Sequence, residues 1–276
     1  MAIKDLAVAY NGSANADAAL QYAVQMCGKY GADLTGVWAK SPVRFEGKVE
    51  RWMSKSVLQS IADAEAEAGR AVEAAFRERL QALGFAGPVH WVGEEGQPNA
   101  VLARRARFHD ILLLGQFSAP GDARRPVRAE DLVLRAGRPL IVVPNNYPVR
   151  PFKEHAVVAW DGSRPAARAL SDGMQILETK RRLDVLTIVG DEAKRSASTA
   201  PDAVAHLKRH GIDARVVEVP AGRGGVAGAI LGYCKEHDPD VLIMGAYGHA
   251  KLREDLFGGT TRVILENMAS PVLMAH

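Results

Sequence analysis

Ala156-Val157-Val158-Ala159-Trp160-Asp161-Gly162-Ser163 is a short apolar run that ends in Asp-Gly-Ser and opens into an alanine-rich pattern of helical period. Leu6-Ala7-Val8-Ala9-Tyr10-Asn11-Gly12-Ser13 repeats it 150 positions earlier. Two more pairs follow in the same order. Asp110-Ile111-Leu112-Leu113-Leu114-Gly115 matches Asp240-Val241-Leu242-Ile243-Met244-Gly245, and Arg138-Pro139-Leu140-Ile141-Val142-Val143 matches Ser270-Pro271-Val272-Leu273-Met274-Ala275. Three landmarks repeated in one order mark a duplication. Within each copy, continuous apolar runs alternate with helical periodicity, which is how parallel strands buried on both faces read in sequence. The expected fold is α/β: two tandem, doubly wound, five-stranded parallel-sheet domains of Rossmann-like type, over residues 1–144 and 154–276.

In the second copy the pattern predicts strands near 156–160, 183–189, 214–219, 240–245 and 271–275. Helices are expected near 164–178, 200–210, 225–237 and 260–269. The first copy keeps this order with a longer second helix, because Val57, Leu58, Ile61, Ala64, Ala68, Val72, Ala75, Phe76 and Leu80 recur at helical spacing from Met53 to Leu83. That extra length explains why the offset between copies shrinks from 150 at the first strand to 132 at the last. Pro144 to His155, with three prolines and two asparagines, reads as the linker.

Composition sets bounds on function. The 276 residues are 47% hydrophobic and 24% charged, ordinary for a soluble globular chain, and the net charge is +3 without a dense basic run. Nucleic-acid binding therefore has no electrostatic footprint beyond local patches. Cys27 and Cys234 are the only cysteines, too few for a disulfide framework or a zinc motif. No apolar run approaches the ~20 residues that span a bilayer, and the chain enters its first strand directly, leaving no room for a signal peptide. A cytoplasmic protein is expected.

Ligands of doubly wound sheets sit beyond the carboxyl ends of the strands, where strand order reverses. After the fourth strand of the second copy come Gly245-Ala246-Tyr247-Gly248, nine residues, and Gly258-Gly259-Thr260-Thr261 opening a helix. Glycines admit close approach of a ligand to backbone. A helix start offers unpaired N–H groups and a positive dipole end to phosphate, and Thr260 and Thr261 add hydroxyls. Asp161, at the end of strand one, would lie across the crevice and accept from a ribose or base. The alternative is that these glycines only shape turns and Thr260 caps the last helix.

The spacing Gly, two residues, Gly, nine residues, Gly resembles the nucleotide-binding signature of the universal stress protein family. The Asp-Gly-Ser after strand one and the closing Ser-Pro-Val-Leu-Met strand are similar to that family as well, and the resemblance runs through both copies. It implies ATP, with Mg²⁺, as the cofactor. Asp161 would lie near the adenosine and Ile188 or Val189 at the adenine-facing position. Met244, Gly245 and Gly248 would stand beside ribose and phosphate, with Gly258, Gly259, Thr260 and Thr261 around the phosphates. Binding members of the family carry Ser or Thr directly after the third glycine; here that residue is Gly259, which keeps the N–H and loses a hydroxyl. The resemblance also implies pairing through the last strands. An internal pseudo-dimer, with Leu140 to Val143 beside Val272 to Ala275, is expected, and a further homodimer is open.

The first copy lacks the loop. Gly115-Gln116-Phe117-Ser118 replaces the first glycine pair; Pro126, Val127 and Ala129 stand where Gly258, Gly259 and Thr261 do, and Asn11 replaces the aspartate. Arg124, Arg125 and Arg128 read as an exposed basic loop. Gly222-Arg223-Gly224-Gly225-Val226-Ala227-Gly228 resembles a dinucleotide fingerprint but follows the third strand rather than the first, so it reads as a small-residue helix start. His206 and His210 are four apart, without a completing ligand, and read as a solvated face. Ser13 and Ser163 are expected as helix N-caps. Lys251 and Arg253 lie in the phosphate loop, where they would steer a polyphosphate or simply face solvent.

The expected function is a nucleotide-responsive regulatory protein with an unidentified protein partner, and hydrolysis slow at most. One rival is a scaffold of the same fold that binds no nucleotide. The other is an ATP-dependent enzyme, for which the sequence shows no reactive group.

Overall fold

The central strands are buried along almost their whole length, and their side chains, pointing alternately to the two faces, build two apolar layers on a single sheet. The computed structural model describes residues 3–41, 53–117, 127–148, 150–190, 194–247 and 259–276. In the first half the elements are β1 (Asp5–Ala9), α1 (Ala14–Tyr30), β2 (Asp33–Lys40), α2 (Lys55–Ala82), β3 (Val89–Glu95), α3 (Pro98–Ala106), β4 (Ile111–Gly115), α4 (Ala129–Ala136) and β5 (Leu140–Val143). The second half repeats them as β6 (His155–Ala159), α5 (Arg164–Leu177), β7 (Arg182–Val189), α6 (Lys194–Arg209), β8 (Arg215–Pro220), α7 (Gly225–His237), β9 (Val241–Gly245), α8 (Gly259–Asn267) and β10 (Val272–Ala275).

The strand order is β3-β2-β1-β4-β5-β10-β9-β6-β7-β8. Within each half every pairing is parallel. Between halves, β5 and β10 run antiparallel, with Val272, Leu273 and Met274 opposite Val142, Ile141 and Leu140. The two five-stranded sheets thus become one ten-stranded sheet, and the two apolar edges that would otherwise be open to further pairing are closed against each other.

Period-two alternation divides the core. Val8, Leu113, Ile141, Val158, Ile243 and Leu273 face α1 and α5, while Ala7, Leu112, Val142, Val157, Leu242 and Val272 face α3, α4, α7 and α8. Both layers run through both halves. Helix starts follow the sequence: Ser13 and Ser163 accept from the Ala16 and Ala166 N–H groups, each at 3.3 Å, satisfying donors that have no partner inside the helix.

Two elements differ from expectation. Helix α6 begins at Lys194 instead of near residue 200 and carries Pro201 inside it. A proline costs the helix one hydrogen bond, but Ala200, Ala203 and Leu207 are buried in the core and hold the element there. In α2 the apolar spacing is real while the burial is confined to the carboxyl-terminal turns. Phe76 and Leu80 are buried, whereas Val57 is 45% exposed, because the earlier turns run beyond the sheet they would cover. Among the described residues, no helix is long and apolar enough to cross a membrane.

Candidate functional site

Strands β6 and β9 are neighbours, with Ala159 opposite Met244, yet the chain leaves β6 toward β7 and β9 toward β10. Strand order reverses between them, which opens a crevice at their carboxyl ends. Asp161 follows β6 and Gly245 ends β9, so topology brings both to this crevice. Val189 ends β7, the other neighbour of β6. Helix α8 connects β9 to its other neighbour, β10, and its amino-terminal residues Gly259 and Thr260 therefore stand at the same end of the sheet. Gly248, Gly258, Lys251 and Arg253 lie outside the described residues.

Each placed residue has a local reason. Asp161 is exposed, and one carboxylate oxygen accepts the Ser163 N–H at 2.9 Å, a local turn that sets the side chain at the crevice rim. Gly162 sits at φ 70°, and a Cβ there would come within 2.8 Å of Thr199 Oγ1. Thr199 also accepts from Trp160 Nε1 at 3.0 Å, so α6 reaches over and anchors this turn. Met244 is buried in the core, and Val189 uses its carbonyl to accept from the Ala221 N–H at 3.2 Å.

For Gly245 the structure supplies a different reason from close approach of a ligand. A Cβ would lie 2.4 Å from the Ala166 nitrogen and 2.5 Å from the Pro165 carbonyl carbon. The missing side chain lets the first turn of α5 settle on the end of β9. At Gly259 no atom of a described residue lies within 4 Å of the Cβ position, so no described neighbour demands glycine there. The two threonines part company. Thr260 is the second residue of α8, hence inside the helix and not its cap, and is half-buried; Thr261 is buried, because its helical phase turns it toward the core.

Residues that carried no motif complete the loop. The Ala246 N–H donates to the Ala275 carbonyl at 2.9 Å, and His276 Nδ1 lies 2.8 Å from the Ala246 carbonyl, so the chain end pins the exit of β9. Tyr247 adopts φ 61°, uncommon for a residue with a Cβ. Its hydroxyl is buried without a hydrogen-bond partner among the described residues, and its pKa is pushed up by burial first and then by Glu130 and Asp131 of α4. The charges of Glu130 and Asp131 in the first half thus act on Tyr247 at the exit of β9 in the second. No spacing rule pairs residues from separate copies in this way.

The equivalent end of the first half is built differently. Its crevice is lined mainly by apolar and aromatic groups, among them Tyr10, Trp38, Leu114, Phe117 and Val127. Asn11 makes the same turn as Asp161, accepting the Ser13 N–H at 3.1 Å, and also accepts the Ser13 hydroxyl at 2.7 Å. The start of α4 is already occupied by protein: the Arg128 N–H donates to Asn99 Oδ1 at 3.0 Å, and Glu130 and Asp131 place carboxylates in the first turn. Helix α8 has no acidic residue in its first turn. The positive dipole end of α4 is thus compensated by carboxylates of its own first turn, whereas the first turn of α8 brings none. Pro126, Arg124 and Arg125 lie outside the described residues.

Other motifs fall away from this end. Gly222 and Gly225, at φ 60° and 62°, shape the turn into α7. The exposed rings of His206 and His210 meet edge to face at 4.8 Å, and among the described residues no group of three His, Cys, Asp or Glu forms.

A model of the universal stress protein family matches residues 154–276. A universal stress protein from Archaeoglobus fulgidus shares the fold over nearly the whole chain, with a TM-score of 0.73, 15% identity, and 98% of this chain and 97% of that chain covered. A Pseudomonas aeruginosa protein described as belonging to the same family has a TM-score of 0.55 at 14% identity, covering 99% and 93% of the two chains. At such identities the likeness is one of fold. No curated protein matches the chain.

Proposed function

Residues 154–276 belong to the universal stress protein family, and on that premise we propose that the chain is a cytoplasmic regulatory protein whose second half binds one adenine nucleotide, ATP with Mg²⁺. In this reading the chain divides into domains 1–144 and 154–276. Asp161 holds the adenosine, and Val189 borders the adenine. Met244, Gly245 and Gly248 line the ribose and first phosphate, and Gly258, Gly259, Thr260 and Thr261 surround the phosphates. The single observation that carries it is the contrast between the first turns of two helices: that of α4 holds Glu130 and Asp131, and that of α8 holds no acidic residue.

Binding rather than turnover is the output, with occupancy of the loop biasing a surface read by a protein partner. The influence of Glu130 and Asp131 on Tyr247 supports such a readout, because it couples the exit of β9 to the charges of α4 in the other half.

Gly259→Asp is the decisive variant. Its side chain meets no described residue, and a carboxylate in the first turn favours the helix, while its charge opposes phosphate. Calorimetric titration of Mg·ATP is expected to show about one site per chain in the wild type and none in the variant, with the melting temperature of the free variant unchanged or raised. No heat and no thermal shift in the wild type would overturn the proposal. Retained affinity in Gly259→Asp would remove α8 from the site.

A further inference from the structure

We propose that the amino-terminal ends of β7 and β8, at the end of the sheet opposite the nucleotide crevice, form a second binding site that takes an oxyanion, a phosphate or a carboxylate group. The inference is independent of the nucleotide reading.

The site is built on one carboxylate. Asp184 is fully buried on β7, where an isolated charge would be too costly to keep. Four side chains on three other elements and on β7 itself satisfy it. Arg215 Nε donates to Oδ1 at 2.6 Å; Arg182 Nε at 3.1 Å and the Tyr233 hydroxyl at 2.9 Å donate to Oδ2, and His155 Nε2 lies 2.8 Å from Oδ2. The sheet dictates this convergence. Asp184 and Arg215 are register partners, as are His155 and Arg182, and period two puts all four on the face covered by Tyr233 of α7.

Neutralising Asp184 requires one cation, and the cluster holds two guanidinium groups. His155 does not offset the surplus: burial keeps its imidazole below the ordinary value, and therefore uncharged near neutral pH. Both arginines meet the carboxylate while staying open to solvent, with side chains 43% and 61% exposed for Arg182 and Arg215. They wall an open cleft together with Arg181, Asp213 and His237. Arg181 forms no ion pair with a described residue. The mouth thus carries three cations against two carboxylates.

This is a preorganised oxyanion site. Asp184 fixes two guanidinium groups through their inner edges, so their remaining N–H groups need little reordering to meet a ligand. Neutralisation of Asp184 alone would explain one arginine; it leaves the second and Arg181 without a role.

The test is titration of the full-length protein with inorganic phosphate and, separately, with malonate, followed by amide and arginine Nε–H resonances in two-dimensional NMR. Saturable shifts are expected at Arg182, Arg215 and His237 with at least one of the two. They should persist in Gly259→Asp, whose α8 site is blocked, and the tighter ligand identifies the group recognised. Arg181→Gln leaves every partner of Asp184 in place, and Arg215→Lys keeps a cation beside it. Each should weaken binding about tenfold, the value of one charge-assisted hydrogen bond. No saturable shift at these residues with either anion, or affinity unchanged in both variants, would overturn the site. Shifts confined to Thr260 and its neighbours, and lost in Gly259→Asp, would do the same while leaving the nucleotide reading intact.

Discussion

The side-chain amide of Gln116, at the end of the first half's β4, donates to the carbonyl of Leu265 in the second half's α8 at 2.9 Å. A second contact reaches the Glu266 carbonyl at 3.3 Å. The loop that lost its glycines in one copy has become the cap for the carboxyl end of the helix whose other end faces the crevice in the other copy. Helix ends leave carbonyls unpaired, and here the partner comes from about 150 residues away.

Gln116→Leu is therefore expected to destabilise the protein by about 1–3 kcal/mol, the cost of leaving an acceptor in α8 without a partner. Urea unfolding should show a lowered midpoint at unchanged slope. Hydrogen exchange should quicken in α8 before it does so in α5. Unaltered protection of α8 would show that the contact is not needed to hold the helix.

Glycine substitutions should separate packing from binding. Gly245→Ala puts a methyl against the backbone of α5 and is expected to cost about 1–3 kcal/mol, read as a fall in melting temperature. Gly259→Ser meets no described residue, should be neutral or stabilising by about 0.5 kcal/mol, and should tighten Mg·ATP several-fold by restoring a hydroxyl beside the phosphates. Weaker binding in Gly259→Ser would mean that the residue serves by being bare.

Asp184 predicts the acid limit of stability. Burial alone would raise its pKa, but Arg215, Tyr233, His155 and Arg182 together hold the carboxyl well below the ordinary range. A depressed folded-state value stabilises above the unfolded value of ~4 and loses that contribution as pH falls below it. Asp184→Asn should cost about 2–3 kcal/mol near neutral pH, and the gap to wild type should close as pH drops below ~4. His155, also lowered, adds an earlier loss in the wild type as pH falls through ~6.5, because the unfolded chain takes up a proton that the fold resists. Denaturant midpoints measured from pH 7 to pH 3 would show both windows; a pH-independent gap would mean that Asp184 is not ionised in the fold.

The two cysteines should be inert in the native protein. Burial pushes the thiols of Cys27 and Cys234 up to about 12, so little thiolate is available to react. A colourimetric disulfide reagent should titrate both only in denaturant, and rapid labelling of the native chain would show that α1 or α7 opens.

Much of the fold was legible because it is local. Apolar runs of strand length, the Asn/Asp-Gly-Ser turns and the serine caps each depend on residues within a few positions of one another, so Val157, Ser163 and the start of α5 could be placed from spacing. The crevice between β6 and β9 was legible through topology, since a repeated doubly wound pattern has one place where strand order reverses. Burial in α2 was less so: its apolar period is visible, but whether anything lies opposite Val57 depends on how far the sheet extends.

The sequence by itself determined that the chain is a duplication, which residues face inward along each strand, and that one copy alone retains a glycine-spaced loop before its last helix. Tertiary structure decided the rest. Gln116 meets Leu265, and Tyr247 feels the charges of Glu130 and Asp131 on α4, only because β5 and β10 pair antiparallel and join the halves. Gly245 is glycine because α5 lands on it, and Arg182, Arg215, His155 and Tyr233 find Asp184 only through the register of three strands and a helix. Periodicity records which face of an element avoids water; it carries no record of which distant group arrives there to satisfy a charge or a carbonyl.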